Sequence, residues 1–187
     1  LHGIPHFAIS VGLEHNKEMI CGIIYDPIKD EMFYAEKGKG SYLNNYRMRV
    51  SSRSKLENSI IFTGGSYRRN NQSIDSAFDE YKKFSSHVFI PIRKMGSAAL
   101  DLAYVAAGRC DGCWHRNLNY WDIAAGIILV KEAGGFVTDF KGNDAYIENK
   151  TILASNSRIN QEMVKILNTW VILLLIILFY YIKIFQY

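Results

Sequence analysis

Residues 117–135 read NLNYWDIAAGIILVKEAGG, and the order of those letters decides the architecture around them. From Ile123 to Val130 no side chain wants water, so the element they form is expected to be buried on every side. A single acidic residue, Asp122, stands directly against that run. A carboxylate at the mouth of a buried helix has two uses. It can cap the helix, since Asp is a preferred N-terminal residue and a negative charge there is favoured by about 0.3–1 kcal/mol. It can also hold a hard cation, because a rigid helix keeps an oxygen in place for Mg²⁺ while its N-terminus favours nearby phosphate. The residues alone leave both uses open. The spacing predicts a buried helix over 121–133, with Ala124, Ala125 and Gly126 small enough to let another element come close and Gly134-Gly135 stopping it.

Upstream of this helix, GSAALDLAYVAAGR (96–109) has Leu100, Tyr104 and Ala107 at helical spacing and Gly108 as its stop, and CDGCWH reads as a short strand. Downstream, GGFVTD and TILAS read as strands and RINQEMVKIL as a last amphipathic helix. Residues 5–50 read as antiparallel β structure. PHFAISVGLE and MICGIIYDP flank the polar turn EHNK, and EMFYAEKGKG is a third strand closed by a Gly-rich turn. SIIFTGG and HVFIPIR are strand-like; between them, 71–84 predicts a helix with Ile74, Phe78 and Tyr81 on one face. Strands followed by alternating helices and strands specify a layered α/β (α+β) domain over residues 1–167.

Residues 168–187 are a different material. The stretch Trp170–Ile182 is uninterruptedly apolar but short of the about 20 residues a bilayer span needs, and it becomes a marginal span only if Lys183 snorkels. A tail anchor, a buried or oligomer-forming helix, and read-through of an A/T-rich frame past a lost stop all fit this apolar tail. Read-through is preferred, because nothing else in the chain requires such a helix, and membrane contact is not favoured. At the other end LHGIPHFAISV has neither Met nor a signal pattern, so the chain is expected to start within a longer unit.

The 187 residues carry a formal charge of +4 and no dense Lys/Arg block, so direct nucleic-acid binding is not expected. Three cysteines suit a reducing, cytoplasmic setting better than a disulfide framework. Cys110-x-x-Cys113 with His115 offers three candidate ligands where a structural zinc wants four, and the CxxC leads into a strand rather than a helix; packing is the preferred reading. Gly38-Lys39-Gly40 lacks P-loop spacing and reads as a hairpin turn. His2, His6, His15 and His87 have no spacing that defines a site.

Trp121–Gly126 (WDIAAG) followed by Glu132–Gly135 (EAGG) resembles the C-terminal signature of the inositol monophosphatase family. The likeness extends to LHGIPHFAISVGLE, CGIIYDPIKDEMFYAEKGKGSYLN, GSAALDLAYVAAGRCDG and ILASNSRI, in the family's order from Leu1 to about Leu167. The resemblance implies an αβαβα sandwich of the sugar-phosphatase type, here without its N-terminal portion, usually dimeric. It implies Mg²⁺-dependent hydrolysis of a small phosphorylated polyol or sugar such as inositol 1-phosphate, with several Mg²⁺ ions binding phosphate and activating water. In that scheme Asp122 is a metal ligand, and Ser97 and Ala98 touch substrate hydroxyls.

Two departures qualify it. Inositol-type members carry Glu seven residues before the W-D Asp, where this chain has the substrate-facing His115, an acceptor without the carboxylate's charge. The family's other ligands belong to G-E-E and D-P-x-D-G-T segments, and neither occurs here. Asp122 is then the one metal ligand, no catalytic set is complete, and the chain is expected to be a truncated, inactive form. A phosphatase of nucleotide 3′-phosphates, a non-catalytic partner of the transcription and ribosomal-RNA machinery, and a decayed gene product are the competing readings.

Overall fold

The protein is described by a computed structural model covering residues 2–65, 71–87 and 90–168. The apolar stretch 169–187 lies outside the described residues, as does Leu1. Among the described residues no helix is long and apolar enough to cross a membrane.

The first half is an antiparallel meander. Strands β1 (Ile9–His15), β2 (Glu18–Asp26), β3 (Glu31–Glu36), β4 (Gly40–Leu43) and β5 (Tyr46–Arg47) pair in sequence order. The second sheet is mixed. It is built from β6 (Ile61–Gly65), β7 (Ile92–Arg93), β8 (Gly112–Arg116), β9 (Phe136–Thr138) and β10 (Thr151–Ser155), in the order β7-β6-β8-β10-β9. Strand β6 runs parallel to β7 and β8, whereas β10 runs antiparallel to β8 and β9. Helices α2 (Ala98–Ala106) and α3 (Tyr120–Glu132) lie between the sheets, and α1 (Asn71–His87) and α4 (160–168) cover the far side of the second one. The result is four alternating layers: sheet, helices, sheet, helices.

Two cores follow from this stacking. Ile24 and Phe33 of the first sheet, Leu102 and Leu129 of the helices, and Cys113 and Ile152 of the second sheet form the inner core. Neighbouring residues Trp114 and Leu153 point the other way, into a second core with Phe84, Ile159 and Met163. Strict alternation along β8 and β10 therefore serves two apolar layers at once, which is why TILAS has no polar face.

The small residues in α3 do what their size predicts. A Cβ at Gly22 would stand 2.8 Å from the backbone of Ala125, and one at Gly126 would stand 2.5 Å from Leu102 Cβ. The first sheet and α2 thus approach α3 more closely than side chains permit. Both predicted stops hold as well: Gly108 and Gly134 have positive φ just past the ends of α2 and α3.

Three local expectations are corrected. Strand structure begins at Ile9 rather than Pro5. HVFIPIR contributes only the two-residue β7, and its residues 88–89 lie outside the described residues. Helix α1 does not bury Phe78 and Tyr81, which are 64% and 44% exposed; the side chain of Ile74 lies outside the description. What α1 buries is Phe84, stacked on Trp114 with ring centroids 4.3 Å apart, and Glu80, paired with Arg116. Partners on the second sheet choose the face, and the local apolar spacing does not.

Candidate active site

The N-terminal ends of α2 and α3 open onto one cleft of about 640 Å³. Gly96, at φ +105°, turns the chain out of the segment after β7, and Ser97 then caps α2 by accepting a hydrogen bond from the Leu100 N–H at 3.4 Å. The first-turn N–H groups of Ala98 and Ala99 have no partner within the helix, as at any helix start. At α3, the Asp122 Oδ2 accepts from the Asn119 N–H at 3.0 Å. Asp122 therefore does cap its helix. That bond uses one oxygen, and the side chain lines the cleft with the other still to be placed.

Strand β8 brings His115 to the same cleft, and α2 brings Asp101. Both are about 1% exposed, with Nε2 of the imidazole 3.3 Å from Oδ2 of the carboxylate. Ser97, Ala98, His115 and Asp122, the four residues singled out by sequence, are thus neighbours around one space, although up to 25 positions separate them (97 to 122). Thr63, Asp101 and His6 join them. Asp101 did give a signal in sequence, a charge inside the apolar run AALDLAYVA, the same kind of signal that marks Asp122. His6 gave none; its Nε2 is buried without a hydrogen-bond partner.

The donor set can be compared with what Mg²⁺ demands, near-octahedral oxygen ligation. Asp122 offers one carboxylate oxygen, and Asp101 faces an imidazole. Among the described residues no three His, Cys, Asp or Glu side chains converge to hold a metal. These residues do not by themselves fit a multi-ion centre. Zinc has no better set. Cys110 and Cys113 are free and buried, and burial pushes both thiols well above their ordinary range, which makes them inert packing residues.

The Gly38-Lys39-Gly40 turn holds an anion after all, from within the chain. The Glu132 carboxylate accepts from the N–H groups of Gly38 and Gly40 at 2.8 and 2.9 Å. The last turn of α3 is thereby fixed to the hairpin between β3 and β4.

Known proteins are similar to this chain in sequence and in fold. An inositol-1-monophosphatase from Rhizobium meliloti is 44% identical over 167 residues, which are 87% of this chain and 60% of that protein. A Nus factor SuhB from Pseudomonas aeruginosa is 42% identical over 160 residues, 84% of this chain and 58% of that one. The crystal structure of the extragenic suppressor protein suhB from Bartonella henselae superposes with a TM-score of 0.83 at 46% identity, over 89% of this chain and 63% of that one. The chain therefore spans about 60% of the length of the curated relatives it matches. Residues 1–169 match the model of the inositol monophosphatase family. With the four layers, the W-D helix and its cleft in place, the chain belongs to the inositol monophosphatase family.

Proposed function

We propose that this chain forms the substrate-side wall of a Mg²⁺-dependent phosphomonoesterase acting on a small phosphorylated polyol or sugar such as inositol 1-phosphate. The observation that carries the reading is the convergence of Asp122, the Ser97–Ala98 start of α2 and His115 on one cleft. Two helix N-termini favour a phosphate there through their free N–H groups and dipoles. In this reading the second oxygen of Asp122 is a metal ligand, while Ser97 and Ala98 meet substrate hydroxyls. Cytoplasmic location is compatible with three unpaired cysteines, and a homodimer is the assembly that goes with the family.

One carboxylate does not assemble an octahedral Mg²⁺ site. The 187 residues alone are accordingly expected to lack turnover. The test is inorganic phosphate release from inositol 1-phosphate in Mg²⁺, by the 187-residue chain and by the product of the reading frame that contains it. Background release from the first is expected. If the second is active, Asp122→Asn should lower its kcat by about 100-fold, the upper scale for disturbing a metal's ligand environment. An active product indifferent to Asp122→Asn would sink the ligand assignment, and an active 187-residue chain would sink the expected inactivity. Adding a nucleoside 3′-phosphate to the substrate panel separates the nucleotide-phosphatase alternative.

The similarity to a Nus factor SuhB favours a second reading, a non-catalytic partner of the transcription machinery. Capture of transcription proteins that is unaffected by EDTA and by Asp122→Asn would support it.

A further inference from the structure

The inner wall of the cleft holds an unusual debt of hydrogen bonds. His115 and Asp101 are each about 1% exposed, yet neither imidazole nitrogen has a hydrogen-bond partner and the Asp101 Oδ1 has none. Buried polar groups are ordinarily satisfied; Nε2 at least faces Asp101 Oδ2, whereas Nδ1 and Oδ1 face no partner at all and mark a place that something else completes. The neighbours of the pair offer little else: Cys110 Sγ lies 3.8 Å from the Asp101 carbonyl, and Cys113, two residues before His115 on the same face of β8, is an apolar packing residue. Gly64 packs against the other edge of the ring. A Cβ at that position would stand 3.3 Å from His115 Nδ1 and 3.4 Å from Cε1, so the absence of a side chain there leaves Nδ1 just beneath the cleft wall that Gly64 and His115 share.

We propose that Asp101 is a positioning residue for His115: its carboxylate keeps the imidazole proton on Nε2 and so turns Nδ1 into a hydrogen-bond acceptor at the cleft wall. The Nε2–Oδ2 separation of 3.3 Å places the charged acceptor on one ring nitrogen only. A neutral imidazole has one donor and one acceptor nitrogen, and the partner of one sets the role of the other. Nδ1, at the Gly64 edge, is then available to a hydroxyl of a bound molecule, with Asp101 Oδ1 as a second acceptor beside it. A lone His115 could present either edge as a donor, whereas the pair presents acceptors. The consequence for substrate choice rests on the phosphatase reading, but the tautomer does not.

Two measurements test this separately. In ¹⁵N-labelled protein, long-range ¹H–¹⁵N correlation spectra report which imidazole nitrogen carries the proton, with the His115 signals assigned by His115→Gln. The expected pattern is Nε2–H with bare Nδ1 in the native chain. It should be kept in Asp101→Asn, whose amide oxygen still accepts, and lost in Asp101→Leu. Nδ1–H or a doubly protonated ring in the native chain overturns the proposal, as does an unchanged pattern in Asp101→Leu. Should the Leu variant fail to fold, the native spectrum decides alone.

The second measurement uses phosphatase activity in the reading-frame product. Asp101→Leu should raise KM for inositol 1-phosphate about tenfold more than KM for p-nitrophenyl phosphate, the factor for one hydrogen bond. Equal changes for both substrates would overturn the positioning role. Absence of turnover with every substrate would count against the proposed function, while the spectra would still decide the inference.

Discussion

The two sheets invert each other's rule. In the second sheet, apolar residues point into cores on both faces, so β10 is buried from end to end. In β1 the large apolar residues Ile9, Val11 and Leu13 are each more than half exposed, while the packed face carries Ser10 and Gly12. Their partners continue both patterns across the sheet, with Ile23 and Met32 outward and Gly22, Ile24, Phe33 and Ala35 inward. Among the described residues nothing covers the outward row. Where a helix comes close, small residues identify the packed face, and the largest side chains in a strand can be on the wrong side of it.

The strongest challenge to this contrast is removal of a side chain from the fully covered sheet. Trp114→Ala deletes a buried ring stacked on Phe84 and should cost about 3–5 kcal/mol, read from urea or thermal unfolding. Loss of only a few tenths would mean that the second core is not cooperative with the rest. Next comes the inverse change on the inward face of the first sheet. Gly22→Val pushes a side chain into the Ala125 backbone and should cost about 1–3 kcal/mol by overpacking. Glu132→Ala removes a charged acceptor from two hairpin N–H groups; with the carboxylate part-exposed, about 1 kcal/mol is expected, together with faster amide exchange at Gly38 and Gly40.

At the bottom of the scale, Val11→Thr on the outward row should change stability by no more than about 0.5 kcal/mol. A large loss there would reveal that this face is covered in solution.

A pH titration sharpens the account of how α1 attaches. Burial raises the Glu80 carboxyl above its ordinary 4.5, outweighing the lowering by Arg116. A carboxyl with a raised folded-state pKa favours the folded protein below pH 4.5, and that contribution is lost as pH rises through the folded value. The stability of the native chain relative to Glu80→Gln should therefore fall as pH increases from 4.5 upward. A rise over that interval would mean that the Arg116 pair dominates.

Much of this was legible in the residues, for identifiable reasons. The span and burial of α3 follow from an apolar run bounded by Asp122 and Gly134, and the close approaches follow from its Ala and Gly content. The grouping of Ser97, Ala98, His115 and Asp122 came from motif resemblance, since no local pattern brings two helix starts and a strand together. Long-range pairing is what stayed hidden. Phe78 and Tyr81 have helical spacing, but Trp114 and Arg116 select Phe84 and Glu80 instead. The grip of Glu132 on Gly38 and Gly40 joins residues more than 90 positions apart. Asp101 was visible as a charge in an apolar helix, but its meaning depends on the His115 beside it.

Helix α3 is held at its two ends by two carboxylates with opposite tasks. Glu132 grips the hairpin, and Asp122 faces the cleft. The helix that carries both is 13 residues long, a rod of about 20 Å. Its middle, Ile123–Val130, is buried all round and has no room to bend, so the position of the hairpin and the position of Asp122 are fixed by one rigid part.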